Sequence, residues 1–182
     1  MTPAKIITFQ IAGKPDRVRL TAPAKLTTAP LIEVGLNDVS TGVEPVLIYA
    51  QGRCYLGVGA DHSSHLGPLA ATGARQEDAK SIGQTVIELP TPLAPFEWTG
   101  IVVESYLDDE LYQAGSLAGL QSPNCLIAQL ASSTHPQPEV VRYCGAIPPL
   151  QAEHRSGDRW EIYLQLESGL TISHRYELRR RR

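Results

Sequence analysis

The sequence predicts a β-rich α+β domain, and three observations carry that expectation. Trp160, Ile162, Leu164 and Leu166 alternate with Glu161, Tyr163, Gln165 and Glu167; Ser168-Gly169 turns; then Leu170, Ile172, His174, Tyr176 and Leu178 alternate back. That period of two marks a hairpin with one buried and one wet face. Gly 15 and Pro 14 among 182 residues supply the turns that many short strands need. A single segment has helical spacing, 122–132, where Ser122 caps, Pro123 takes the first helical position, and Leu126, Ile127, Leu130 and Ala131 share a face.

The remaining elements follow in order. Ile7, Phe9 and Ile11 alternate, Gly13-Lys14-Pro15-Asp16 punctuates, and Val18, Leu20 and Ala22 alternate again, which is a hairpin. Residues 23–30 read as a loop and Leu31 to Gly35 as a short strand. Val46 to Tyr49 and Arg53 to Val58 flank Ala50-Gln51-Gly52 and form a second hairpin. Ala74 to Lys80 is polar and reads as a mobile loop, Thr85 to Leu89 as a strand, and prolines 90, 92 and 95 as a stiff connector. Ile101 to Tyr106 and Val140 to Cys144 are further strands, and the block from Leu107 to Leu117, which contains Gly115, holds a turn. Residues 1–178 make one domain, and Arg179 to Arg182 a solvated basic tail.

Composition excludes several classes. Apolar residues at 42% and charged ones at 19% fit a globular chain with a real core. A net charge of −3 offers no footprint for nucleic acid, and no apolar run is long enough to span a membrane. Three cysteines without a CxxC leave one unpaired, which fits a reducing cytoplasm better than a disulfide framework. Cys54 and Cys144 sit in apolar strands and are expected in the core, as is His174. Gly57-x-Gly59 lacks a third glycine and a following helix, so it is no dinucleotide fingerprint; its glycines permit close backbone approach.

Chemistry concentrates between Thr41 and His65. Glu44 opens the second hairpin, and Asp61, His62 and His65 lie beyond its far strand. In a regular hairpin Asp61 overshoots Glu44 by about three residues, roughly 10 Å, so a curl after Gly59 is expected to gather these groups. Histidines titrate near neutrality and suit proton transfer, but two neighbouring histidines are also common surface residues. Asp61 reads equally as a turn residue, and Lys80 after Glu77 and Asp78 as a salt-bridged loop cation. No G-x-S-x-G elbow surrounds Ser63 or Ser64, which leaves a serine triad without support.

Four stretches together resemble one family. VEPVLIYAQGRCYLGVGADHSSH is similar to an acid-x-acid-Pro-Val-Leu strand followed by Gly-x-Gly-Ser-Asp-His. ARQEDAK is similar to a Lys-Gln-x-x-x-Lys segment, and YLDDELYQAGSLAGLQSPNCLIAQLAS to a Gly-Glu-x-x-Gln-x-Gly turn with its helix. RYCGAIP with GDRWEIYLQLESGL resembles a Gly-Thr-Pro strand and a late Gly-Asp strand. In that order, over roughly residues 35 to 178, they resemble the fumarylacetoacetate hydrolase superfamily, and within it the domain-of-unknown-function family 2848.

The resemblance implies a mixed β-roll of the fumarylacetoacetate hydrolase C-terminal-domain type, commonly a homodimer. It implies a divalent metal (Mg²⁺ or Mn²⁺) on three carboxylates and small oxo- or dioxo-acid substrates undergoing C–C hydrolysis, decarboxylation, hydration or isomerisation. Two of the ligands fall on Glu44 and Asp61, and pocket residues on Gln76 and Lys80. His62, Lys80 and Gln76 are then the catalytic candidates, and Gly59, His65, Gly145 and Ala146 the substrate-binding ones. The first family carboxylate falls on Gly42, and the threonine of Gly-Thr-Pro on Ala146. Those two departures keep open a metal-independent cyclase or isomerase of a biosynthetic intermediate, and a non-catalytic binding scaffold.

Overall fold

The computed structural model describes residues 5–36, 38–65, 75–90, 97–124, 127, 139–151 and 155–181, with backbone alone at 64, 65 and 75–77. Fourteen strands carry the fold: β1 (Lys5–Ile11), β2 (Arg17–Ala22), β3 (Leu26–Thr27), β4 (Leu31–Val34), β5 (Asp38–Ser40), β6 (Glu44–Ala50), β7 (Arg53–His65), β8 (Arg75–Ile82), β9 (Thr85–Glu88), β10 (Val102–Leu107), β11 (Glu110–Ser116), β12 (Val140–Tyr143), β13 (Arg159–Gln165) and β14 (Thr171–Arg180). They form a nine-stranded sheet with the main path β12-β6-β7-β9-β1-β2 and a five-stranded sheet ordered β11-β10-β13-β14-β4. Most pairs are antiparallel, but β1–β9, β3–β8 and β4–β14 run parallel, so both sheets are mixed.

Strand β7 organises the large sheet. Along one edge it pairs first with β6 and then, past a short break, with β5. Along the other it pairs with β9 and then with β8. Its two faces serve two cores, because side chains alternate along a strand. Leu56, Val58 and Ala60 face the five-stranded sheet and pack with Trp160, Ile162, Leu164, Ile172 and Tyr176. Tyr55 faces the other way, where the sheet curls so that Phe9, Val18 and Leu20 of the β1–β2 hairpin cover Val46, Ile48 and Ile82. That curl is the roll the sequence was expected to form.

Both hairpins read from alternation form in register, Phe9 opposite Val18 and Ile162 opposite His174. The β6–β7 turn is Gln51-Gly52, with φ of 53° and 75°, the backbone that matches strand twist in a two-residue loop. The turn in the 107–117 block lies at Asp108-Asp109, where φ is 51° and 69°, whereas Gly115 is inside β11. Two adjacent aspartates adopt the left-handed conformation, and Asp108 secures the turn by accepting from the N–H groups of Asp158 and Arg159.

Other expectations are corrected. From Arg75 on, the segment read as a mobile loop is strand β8, because β7 offers it a partner edge that local polarity cannot reveal. Within the 23–30 loop, Leu26-Thr27 pairs with Lys80-Ser81. The main helix is not supported: 122–132 lies for the most part outside the described residues, and the helical element with bounds is a 3-10 turn at Leu117–Gly119. The connector at 91–96 also lies outside them. The basic end is not a free tail. Strand β14 runs through Arg180 beside β4, the Arg181 N–H donates to the Val34 carbonyl, and the Arg180 and Arg181 guanidinium groups meet Asp158 and Asp78. No helix among the described residues is long and apolar enough to cross a membrane.

Candidate functional site

The site forms where β6 ends and β7 continues. Because the hairpin turn has two residues, Glu44 pairs with Gly59, and Asp61 overshoots by two residues rather than three. No curl is needed. Strand β7 stays extended, and the even step places Glu44 and Asp61 on one sheet face. Lys80 joins them because β8 sets it directly across from Asp61, and its Nζ donates to Asp61 Oδ2 at 2.6 Å.

Glu44 is 5% exposed, and both its oxygens are engaged. The Thr41 hydroxyl donates to Oε1 at 2.6 Å, and the Gly145 N–H donates to Oε2 at 3.0 Å. Burial raises its pKa above the ordinary carboxyl range, with the Asp61 charge adding to the shift, against the opposing pull of the Thr41 and Gly145 hydrogen bonds and of Lys80. Thr41 ties the two acids together, since its hydroxyl also accepts from the Asp61 N–H at 3.3 Å. Asp61 Oδ1 is buried without a hydrogen-bond partner. The Tyr143 ring lies under the ammonium, 4.9 Å from Nζ to its centroid, and its hydroxyl donates to the Ser81 carbonyl at 2.7 Å. Beside Lys80 opens a cavity of about 310 Å³ lined by Pro23, Ala24, Lys25, Leu26 and Val141.

Two glycines make the arrangement possible. A Cβ at Gly59 would collide with the Ser81 carbonyl and lie 2.9 Å from Tyr143 Cε1, so only glycine lets β8 and Tyr143 close on the site. Gly42 has a φ of +80°, and a Cβ there would meet the Gln113 amide, 2.5 Å from its Cδ. Gln113 is fully buried: its Oε1 accepts from Val43 N–H and the Ser105 hydroxyl, and its Nε2 donates to the carbonyls of Thr41 and Ile147. One side chain thus pins the turn that carries Thr41 to the segment that carries Gly145.

The structure does not bring all the sequence candidates together. His62, expected to move the proton, is corrected: it is 0% exposed and points to the opposite face. Its Nδ1 lies 2.9 Å from Asp38 Oδ2 and its Nε2 2.8 Å from the Tyr176 hydroxyl. Being next to Asp61 in an extended strand is what sends it to the other side. The backbone of His65 and Gln76 lies at the far end of the β7–β8 ladder, and their side chains are outside the described residues. Ala146 follows Gly145, half-buried. Cys54 is buried as expected and Cys144 half-buried, its thiol pushed up to about 11 by burial. His174 is buried but not satisfied: its Nε2 lacks a partner, and its ring stacks on Tyr176.

Sequence reading missed Thr41, Gln113 and Tyr143 as parts of the site. Tyr143 enters through the β12–β6 ladder opposite Val46, a pairing between segments almost a hundred positions apart that no local signal announces. Thr41, three residues before an acid that starts a strand, is the one with a detectable cue.

An Mg²⁺ or Mn²⁺ ion does not fit the residues present. The first family carboxylate position is Gly42, filled from the side by Gln113, and Lys80 already occupies Asp61. Among the described residues no three histidine, cysteine or acidic side chains gather to hold an ion.

Comparison with known proteins agrees with this architecture. Residues 13–176 match the family described as "Protein of unknown function (DUF2848)", and the chain belongs to that family. No curated protein matches the sequence. Among solved structures, the chain is similar to a candidate fumarylacetoacetate isomerase/hydrolase from Oleispira antarctica, at 15% identity and a TM-score of 0.62, covering 97% of this chain and 94% of that one. It is also similar to maleylpyruvate hydrolase from Sphingobium sp. SYK-6, at 12% identity and a TM-score of 0.56, covering 97% and 70%. A third likeness is to 5-carboxymethyl-2-hydroxymuconate delta-isomerase from Mycobacterium smegmatis, at 13% identity and a TM-score of 0.50, covering 97% and 76%. The fold is that of the fumarylacetoacetate hydrolase superfamily.

Proposed function

We propose that this DUF2848 member is an enzyme for small enolisable oxo-acids, moving a proton at the carbon next to a carbonyl. The observation that carries the reading is the cross-strand Lys80–Asp61 pair beside the buried Glu44 carboxyl. A substrate carbonyl oxygen set against the Lys80 ammonium acquires negative charge as an enolate forms, and a fixed cation lowers the cost of that charge. The Asp61 carboxylate, whose side chain is 28% exposed, is the base that takes the α-proton. Returning the proton to a different carbon, from Asp61 or from the Glu44 carboxyl, completes an isomerisation without any other reactant. The fold's likeness to hydrolases and isomerases supports the class, and the cavity beside Lys80 has the size of a small substrate's remaining atoms.

The test is a panel of 2-oxo and 2,4-dioxo acids followed by ultraviolet absorbance and by exchange of the α-proton in D₂O. The expected result is exchange for at least one oxo-acid, lost in Asp61→Asn. Exchange at the same rate in wild type and Asp61→Asn would refute the assignment.

A further inference from the structure

We infer that this site works without a divalent cation and that the Lys80 ammonium holds the place of the positive charge. The inference concerns the same pocket as the reading above but stands on the donor set, not on any substrate.

A divalent cation of the magnesium type needs near-octahedral oxygen ligands, and carboxylates must supply most of its neutralising charge. Three features of this chain act against that. The backbone at Gly42 has a φ of +80°, which side chains other than glycine's rarely adopt, and the volume a ligand there would need belongs to Gln113. Gln113 cannot withdraw, because its four hydrogen bonds fasten Val43, Ser105, Thr41 and Ile147 in a fully buried position. Nor is Glu44 waiting for a metal. Its oxygens each accept one hydrogen bond, from Thr41 and from Gly145, which fixes the carboxylate without an ion and takes about half of its roughly four acceptor sites.

The third feature is the ammonium itself. At 2.6 Å from Asp61 Oδ2 and above the Tyr143 ring, Lys80 sits among the groups that would have to surround the ion. An ion shared by Glu44 and Asp61 would lie within a few ångströms of Nζ, where like-charge repulsion is large at low effective dielectric. With Glu44, Asp61 and Lys80 all ionised the cluster carries a net charge of −1, against −2 for the two carboxylates without the ammonium. The remaining unsatisfied acceptor, Asp61 Oδ1, asks for a hydrogen-bond donor or a proton, which a substrate or water supplies.

The experiment is a Mn²⁺ titration of chelator-stripped full-length protein, read by the electron paramagnetic resonance of free Mn²⁺ and by Tm. Wild type, Glu44→Gln and Asp61→Asn are expected to leave the same free Mn²⁺ and show the same Tm with and without the ion. Lys80→Met, which removes the ammonium and leaves both carboxylates, is expected to gain a rise in Tm at millimolar Mn²⁺ only, because Gly42 still supplies no third ligand. One equivalent of Mn²⁺ held at micromolar concentration by wild type, and released by Glu44→Gln or Asp61→Asn, overturns the inference. So does a folded Lys80→Met protein whose Tm ignores Mn²⁺, because the ammonium would then not be what excludes the ion. None of these readouts requires turnover, so they separate this inference from the activity proposed above.

Discussion

Asp61 and His62 are neighbours in the chain and face opposite environments. On the Asp61 side, the carboxylate and its partner Lys80 have side-chain exposures of 28% and 30%, within reach of a ligand. On the His62 side, the imidazole and its partner Asp38 are exposed by 0% and 2%, sealed between the two sheets. Each side holds a cation-forming group, an acid and a tyrosine, so residue type alone does not separate them. Access does. The first set can meet a substrate; the second can only hold strand β5 and the five-stranded sheet to β7 through the Asp38–His62–Tyr176 chain.

This contrast is open to direct attack. The largest stability effect is expected from His62→Ala, which strips a partner from Asp38, whose Oδ1 already lacks one. Breaking a buried pair costs about 3–5 kcal/mol, and urea unfolding should show it as a large fall in midpoint; a change below about 1 kcal/mol would mean the buried side is not structural.

Lys80→Met should do the reverse. We expect turnover of the oxo-acid found by screening to fall by roughly 10²–10⁴-fold, with an unfolding midpoint close to wild type, since partly exposed pairs contribute about 0–1 kcal/mol. Equal activity in the variant would move the chemistry away from this face.

A pH effect distinguishes the faces again. His174 is stacked on Tyr176, and burial, helped by the charge of His62, pushes its pKa down from 6.5 to about 4. Between those values the unfolded chain holds a proton that the folded chain does not, so stability present above pH 6.5 is lost as pH falls towards 4. The loss is on the order of 3 kcal/mol, and His174→Phe should flatten that segment of a stability–pH curve measured with denaturant. An unchanged slope would place the acid sensitivity elsewhere. The smallest effect is expected from Tyr143→Phe, which keeps the ring under Lys80 and removes the hydroxyl bond to the Ser81 carbonyl, at about 1 kcal/mol.

Much of the fold was legible because its signals are local. Alternation at Ile7–Ala22 and Trp160–Leu178 set two hairpins in the right register, and Glu44, Asp61 and Lys80 were marked as one group by their resemblance to a family pattern. The polar residues from Arg75 to Lys80 were misread because they carry no hydrophobic period of their own; their extended form is owed to β7 and, at Lys80, to β3. His62 was misread for a related reason. Its residue type suits proton transfer, but the parity of its position decides which face it meets.

The sequence by itself determined the strands that alternate or run apolar, the glycines at 42 and 59, and the identities of the acids and the lysine. These depend on side-chain type and on spacing within a few residues. Only the tertiary structure decided that Lys80 sits across from Asp61, that Gln113 fills the space beside Gly42, and that Tyr143 lies beneath the ammonium. Each of those contacts joins different segments of the chain, 19 or more positions apart, and tertiary pairing, not local composition, selects which residues meet.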